Sequence, residues 1–269
     1  MNQMKPFLLI FLFSISFCFG QNYSLNDFQE CKIPEMDSKE WYDFNHSSDK
    51  EYVFSLESGK IKISKHKYSP YVEYDIPSGK LIGVNIGEFG GGLYYRQKEA
   101  NKIFYVNGKN GNDIQPRFFG GLMIPETNPM TKVLKDCKLL QSGNLEFIFG
   151  IKDSIYLLGG LSHMGLNSGG LYTIKYNTDN FFISVVLNLE DAPSAMSIYE
   201  DCIYLAGSKG FYIIDKNLKL KTIFDNLFWY GLYPTSVVVL DKNNVFITIR
   251  GGYVKINPEE KKIKLYKAK

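Results

Sequence analysis

Asp191-Ala192-Pro193-Ser194-Ala195-Met196-Ser197-Ile198, then Cys202-Ile203-Tyr204-Leu205-Ala206, then Gly210-Phe211-Tyr212-Ile213-Ile214, are three short apolar runs separated by turn residues. The same order returns as Leu232-Tyr233-Pro234-Thr235-Ser236-Val237-Val238-Val239, Val245-Phe246-Ile247-Thr248-Ile249 and Gly252-Tyr253-Val254-Lys255-Ile256. Pro193 to Pro234 is 41 residues, and Gly210 to Gly252 is 42. A fixed period of about 40 residues made of short apolar strands is the sequence signature of a propeller blade.

Earlier copies lie upstream. Leu81-Ile82-Gly83-Val84-Asn85-Ile86 is followed by Gly91-Gly92-Leu93-Tyr94-Tyr95, with Lys102-Ile103-Phe104-Tyr105-Val106 as the next strand. Ile155-Tyr156-Leu157-Leu158-Gly159 leads through a long loop, 160–168, to Gly169-Gly170-Leu171-Tyr172-Thr173-Ile174, with an outer strand at Phe181-Phe182-Ile183-Ser184-Val185-Val186. The glycines opening the third runs fall at 92, 170, 210 and 252. The first interval, 78, is twice 39 and predicts a degenerate blade between 92 and 170, echoed by Phe119-Gly120-Gly121-Leu122-Met123-Ile124. A hairpin is expected over 51–64, where Lys60-Ile61-Lys62-Ile63-Ser64 alternates with period two. The glycine pairs read as tight turns that use positive φ. They open strands rather than helices, so they are not phosphate loops.

No long stretch carries a 3.6-residue period. The expectation is an all-β chain, a β-propeller of about five to six four-stranded blades over 51–269, preceded by a lead-in over 21–50. That lead-in is read as loosely structured, with Trp41, Tyr42 and Phe44 packing on the domain.

The 269 residues are 45% hydrophobic and 15% aromatic, which suits strands. The net charge of +3, with both signs interspersed, gives no reason to expect a nucleic-acid partner. Lys5, the apolar run from Phe7 to Phe19 and the small Gly20 read as a secretory signal peptide over 1–20, cleaved after Gly20. That reading makes the protein secreted or periplasmic. The run is short for a membrane span, and none is expected in the mature chain. Phe17 before Cys18 departs from a lipidation motif, which leaves lipidation disfavoured and open. Cys31, Cys137 and Cys202 are an odd number, so either a Cys31–Cys137 bridge or three free thiols is compatible with the sequence.

Tyr233-Pro234-Thr235-Ser236-Val237-Val238-Val239-Leu240-Asp241, continued by Asn244-Val245-Phe246-Ile247-Thr248, resembles the blade of secreted bacterial propellers of the NHL-repeat type. There a proline precedes the inner strand and an Asp ends it. The resemblance implies a fold and no activity. It also implies that the loops between blades (113–118, 189–194, 228–234) share a face with those between second and third strands (87–90, 161–168, 207–209, 250–251). That face would gather Glu88, Arg117, His163, Asn167, Asp191, Trp229, Tyr230, Tyr233 and Arg250 as ligand-binding residues at the mouth of a central channel.

Aromatics, Arg, Glu and His on loops of a rigid scaffold suit a ligand site. Trp229-Tyr230 either stack on a ligand ring or cover the inner strand ends. Arg250 and Arg117 either hold a carboxylate or, for Arg250, pair with Glu88 across the channel. His163 and Glu88 are the only weak catalytic candidates. No metal-ligand spacing, nucleophile elbow or cofactor motif occurs, and no cofactor or metal is expected. The reading adopted is an exported, monomeric, non-catalytic binding propeller whose small-molecule or protein partner the sequence does not identify. The alternatives are a propeller hydrolase or lyase acting on a sugar or small molecule at the same face, and a structural component of an envelope assembly held through 21–50.

Overall fold

Where strands are stacked face to face, the innermost ones lose their polar side and read as continuous apolar runs. Cys202–Gly207 and Asn244–Ile249 are such runs, buried along nearly their whole length. Strands farther from the buried centre, such as Lys262–Ala268, keep exposed polar positions among the apolar ones. The computed structural model describes residues 23–99, 103–110, 129–177 and 180–269, and these form an all-β structure of five sheets.

The chain begins with strand β1 (Phe28–Cys31) and helix α1 (Lys39–Asn45). The first sheet is a hairpin of β2 (Tyr52–Glu57) and β3 (Lys60–Lys65), turned by Ser58 and Gly59, both at positive φ. Then come β4 (Tyr71–Ile76), β5 (Gly79–Asn85), β6 (Gly91–Gln97), the short pair β7 (Tyr105–Val106) and β8 (Lys109–Asn110), α2 (Pro129–Val133) and β9 (Cys137–Ser142). The second sheet is β4-β5-β6-β9. The third joins β10 (Phe147–Ile151), β11 (Ser154–His163), β12 (Leu166–Asn177) and β13 (Asn180–Leu189), with β7 and β8 added at its edge. The fourth is β14 (Pro193–Tyr199), β15 (Cys202–Gly207), β16 (Phe211–Ile214) and β17 (Leu220–Phe224). The fifth is β18 (Ser236–Asp241), β19 (Asn244–Ile249), β20 (Gly252–Asn257) and β21 (Lys262–Ala268), with β1 antiparallel to β21. Neighbouring sheets meet through their first strands: β4 lies beside β10, β14 beside β18, and β18 beside β2.

Three expectations need correction. The 92–170 interval holds no separate sheet among the described residues. Instead the chain makes an excursion: β7 leaves the second sheet to pair in parallel with β13, and β9 supplies the outer strand expected from 102–106. The echo at 119–124 and the loop 113–118 lie outside the described residues. The five sheets are also not uniform four-stranded units, since the first has two strands and the third has six. Finally, 160–168 is no loop. β11 and β12 stay in register as far as His163↔Leu166, turned by Met164 and Gly165 at positive φ. Glycines hid this ladder from a propensity reading. A Cβ at Gly159 would lie 2.0 Å from the Asn144 carbonyl oxygen, so the chain leading into β10 needs glycine to cross there. In the three glycine pairs, only Gly251 has positive φ; the others serve close approach.

The lead-in is built into the fold. Ser38 caps α1, accepting from the Trp41 amide at 3.2 Å. The helix then buries Trp41 and Phe44 in the core cluster that contains Trp229, Val239 and Ile247. Trp41 Nε1 donates to the Phe228 carbonyl at 2.7 Å, and Asn45 Nδ2 donates to the Gly231 carbonyl at 2.9 Å. Cys31, Cys137 and Cys202 are free thiols, so the Cys31–Cys137 bridge is not formed. No helix among the described residues is long and apolar enough to cross a membrane. The signal peptide over 1–20, its cleavage point and Cys18 lie outside the described residues.

Because Trp41 fills core volume and its indole N–H satisfies a buried carbonyl, Trp41→Ala is expected to cost about 3–5 kcal/mol of stability in urea unfolding. An effect below about 1 kcal/mol would show that α1 is only laid on the surface.

Candidate functional site

The segments leading into β10, β14 and β18 and the β15–β16 connection converge on one cavity of about 370 Å³. Glu146 lines it from the segment before β10, and Ser194 from the start of β14. Ser208 reaches it from the β15–β16 turn, Ser162 from β11, and Tyr230 and Tyr233 from the segment before β18. Asn85, at the end of β5, closes the wall toward the second sheet.

Glu146 is the unusual member. Its carboxylate Oε1 accepts from Asn85 Nδ2, and that amide is fixed because Asn85 Oδ1 accepts from the Gly87 amide at 2.7 Å. No cation among the described residues pairs with it. Burial therefore dominates, and although the Asn85 hydrogen bond pulls the other way, the carboxyl is pushed up to about 7. Burial, with the Glu146 charge as a lesser cause, also pushes the nearby Tyr68 hydroxyl upward.

Beside this cavity, Glu88 in the 3-10 turn Gly87–Phe89 brings Oε2 to 2.5 Å from His163 Nε2 at the tip of β11. His163 Nε2 is otherwise shut from solvent, and Glu88 is the group it faces. Arg250 does not pair with Glu88. Its Nε donates to Glu51 Oε1 at 2.7 Å and its Nη1 to the Asn45 carbonyl at 3.0 Å. Its guanidinium lies 4.5 Å from the ring centre of Tyr233, a cation–π distance.

The remaining sequence-predicted residues separate into three groups. Tyr230 and Tyr233 line the cavity; Lys209 Nζ sits 5.1 Å from the Tyr230 ring centre. Trp229 offers no surface to stack on: it is fully buried, and its Nε1 donates to the Gly207 carbonyl at 3.2 Å. Covering the strand ends is what the fold uses it for. Asn167 and Asp191 bond to each other at 2.8 Å and line a different cavity, between the third and fourth sheets. Asp191 is buried and takes the amides of Lys209 and Gly210, each at 2.9 Å, and the Tyr212 hydroxyl at 3.1 Å. Burial and then the Asp191 charge raise the Tyr212 hydroxyl well above its ordinary value. Arg117 lies outside the described residues.

The sequence reading missed Glu146, Asn85 and the three serines. A signal existed for Glu146. It stands one residue before β10, as the cavity-lining Ala192 stands one before β14, so recognising Phe147–Ile151 as a first strand would have placed Glu146 at the same mouth.

No family model matches the sequence, and no curated protein matches it. Among solved structures, the crystal structure of a puromycin hydrolase is similar at 14% identity and a TM-score of 0.32, a likeness too slight to assign a fold or an activity. The match covers 80% of this chain, which spans 44% of the length of that structure.

The two buried acids generate separate predictions. Removing Asp191 as Asp191→Ala strands the Gly210 and Lys209 amides, and a loss on the order of 3 kcal/mol is expected in urea unfolding. Glu146 acts in the opposite sense. Its folded value, about 7, exceeds the ordinary 4.5, so the proton binds the folded state more tightly. Stability is full below about pH 4.5, falls as pH rises through 7, and is flat above. Glu146→Gln should therefore stabilise by ~3 kcal/mol at pH 8 and by nothing near pH 4, as measured by pH-dependent unfolding. A difference independent of pH would contradict the burial of an unpaired carboxyl.

Proposed function

We propose that the five sheets are blades of an exported propeller, and that the cavity around Glu146 binds a small polar ligand without transforming it. The arrangement of first strands side by side, with the inter-sheet segments gathered at one mouth, supports the propeller reading. The single observation that carries the binding reading is Glu146. Burying a carboxyl with one neutral donor is costly, and a ligand that satisfies it recovers that cost. Tyrosine rings and serine hydroxyls around one titratable group form the usual lining of a small-molecule site.

A thermal-shift panel of sugars, polyols, amines and carboxylates tests this. A ligand at 100 times its dissociation constant should stabilise the protein by about 2.7 kcal/mol. The shift should vanish in Glu146→Gln and shrink in Tyr233→Ala. A panel without hits, or hits untouched by both substitutions, would reject the site.

The 2.5 Å approach of His163 to Glu88 favours a second reading, a hydrolase or lyase in which this pair moves a proton. It requires turnover of a panel ligand to fall at least a hundredfold in His163→Ala. Unchanged turnover removes the pair from the chemistry. The envelope-anchor reading gains nothing from Trp41 and Phe44, which are spent inside the fold. Deleting 21–50 would report on stability before attachment.

A further inference from the structure

The described lining of the Glu146 cavity is rich in hydrogen-bond acceptors, and none of the described residues lining it is Lys, Arg or His. Glu146 Oε2 takes no hydrogen bond from the protein among the described residues, while Oε1 has only the Asn85 amide. Next to this wall, Asn144 spends its Nδ2 on the Gly87 carbonyl at 2.7 Å, and its Oδ1 is shut from solvent with no donor. The basic side chains nearest the rim lie against other groups. Arg250 is neutralised by Glu51 behind Tyr233, His163 faces Glu88, and Lys209 lies over Tyr230. On the second sheet's side, the Tyr68 hydroxyl donates to the Asn85 carbonyl at 3.3 Å, so it is not free for Glu146. What this set lacks is a charged donor.

We infer that the ligand of this cavity is an amine, bound as its ammonium ion against the Glu146 carboxylate beside the rings of Tyr230 and Tyr233. This rests on the binding reading above and names its ligand class. An ammonium offers several N–H donors together with a full positive charge, which the described lining does not supply. Ammonium binding requires Glu146 ionised, so a Glu146 proton leaves to solvent as the ligand enters. Affinity then rises with pH until the carboxyl is fully ionised.

Cyclohexylamine, an ammonium ion across pH 5.5 to 8, and cyclohexanol, its neutral counterpart of the same shape, are suitable probes. Isothermal titration of each into the full chain gives the comparison. The amine should bind at least tenfold more tightly than the alcohol at pH 8. Its affinity should fall about thirtyfold at pH 5.5, as expected for one linked proton held near pH 7. Glu146→Gln should abolish both the preference and the pH dependence. An alcohol that binds as tightly as the amine at pH 8, or an amine preference retained in Glu146→Gln, would overturn the inference. If the amine fails while a neutral or anionic panel compound binds and is lost in Glu146→Gln, the amine is wrong and the cavity reading stands. If no compound binds, both fall.

Discussion

A single buried carboxylate ties the third sheet to the fourth. Asp191 sits between β13 and β14, and four donors converge on it from two sheets: Asn167, the amides of Lys209 and Gly210, and the Tyr212 hydroxyl. The approach is close enough that a Cβ at Gly207 would lie 2.2 Å from its Oδ2, and one at Gly210 would lie 2.3 Å from the Tyr212 hydroxyl. The glycines are therefore a condition of the ion's burial, and the ion fixes the segment that starts β14. A buried charge is tolerated where hydrogen bonds replace its water, and this one is fully supplied. The position of Ser194, and with it one wall of the cavity, depends on that arrangement.

Glu146 is the counterpart with the opposite environment. It also stands where the chain passes from one sheet to the next, but it has one neutral donor where Asp191 has four. Folding stability alone would favour a Gln or an apolar residue there, because an unpaired acid costs energy at neutral pH. A polar group kept at such a cost in a cavity shared by several sheets is better explained by binding than by architecture. The two acids thus separate the roles of this face. One carboxylate holds the scaffold, and the other is left for something that the chain does not supply.

The repeat was legible because its signal is apolar: the runs at 193–214 and 236–256 are the first three strands of the fourth and fifth sheets. Legibility failed where spacing replaced pattern. The interval of 78 was arithmetic for an extra blade, yet the chain makes an excursion that lends β7 and β8 to a neighbour and returns as β9. Glycine-rich strands such as the β11–β12 ladder failed for a different reason, since propensity penalises a residue that close packing demands. At the cavity, Tyr230 and Tyr233 are reachable from sequence because their loop leads directly into a recognised strand. For Trp229 the sequence leaves stacking on a ligand and covering the strand ends both open, since it does not tell which side of a loop faces the core, and burial decides for the second. For Arg250 neither open alternative, a ligand carboxylate or Glu88, names its actual partner Glu51, which lies 199 residues away in the chain, beyond any local pattern.

The lead-in acquires its meaning from the same geometry. Trp41 and Asn45 hold the carbonyls of Phe228 and Gly231, the residues on either side of Trp229 and Tyr230. Gly251 donates its amide to the Lys50 carbonyl, and Arg250 reaches the Asn45 carbonyl and Glu51. Helix α1 is thus the floor beneath the loop that carries both tyrosines. A loop of seven residues with two exposed rings would otherwise have to be ordered by its ligand, at a cost in affinity. By ordering it in advance from a segment far away in sequence, the fold moves that cost from binding to folding. The cavity is then preformed, which is what a site offering only one charge and a few hydroxyls requires in order to discriminate among small ligands.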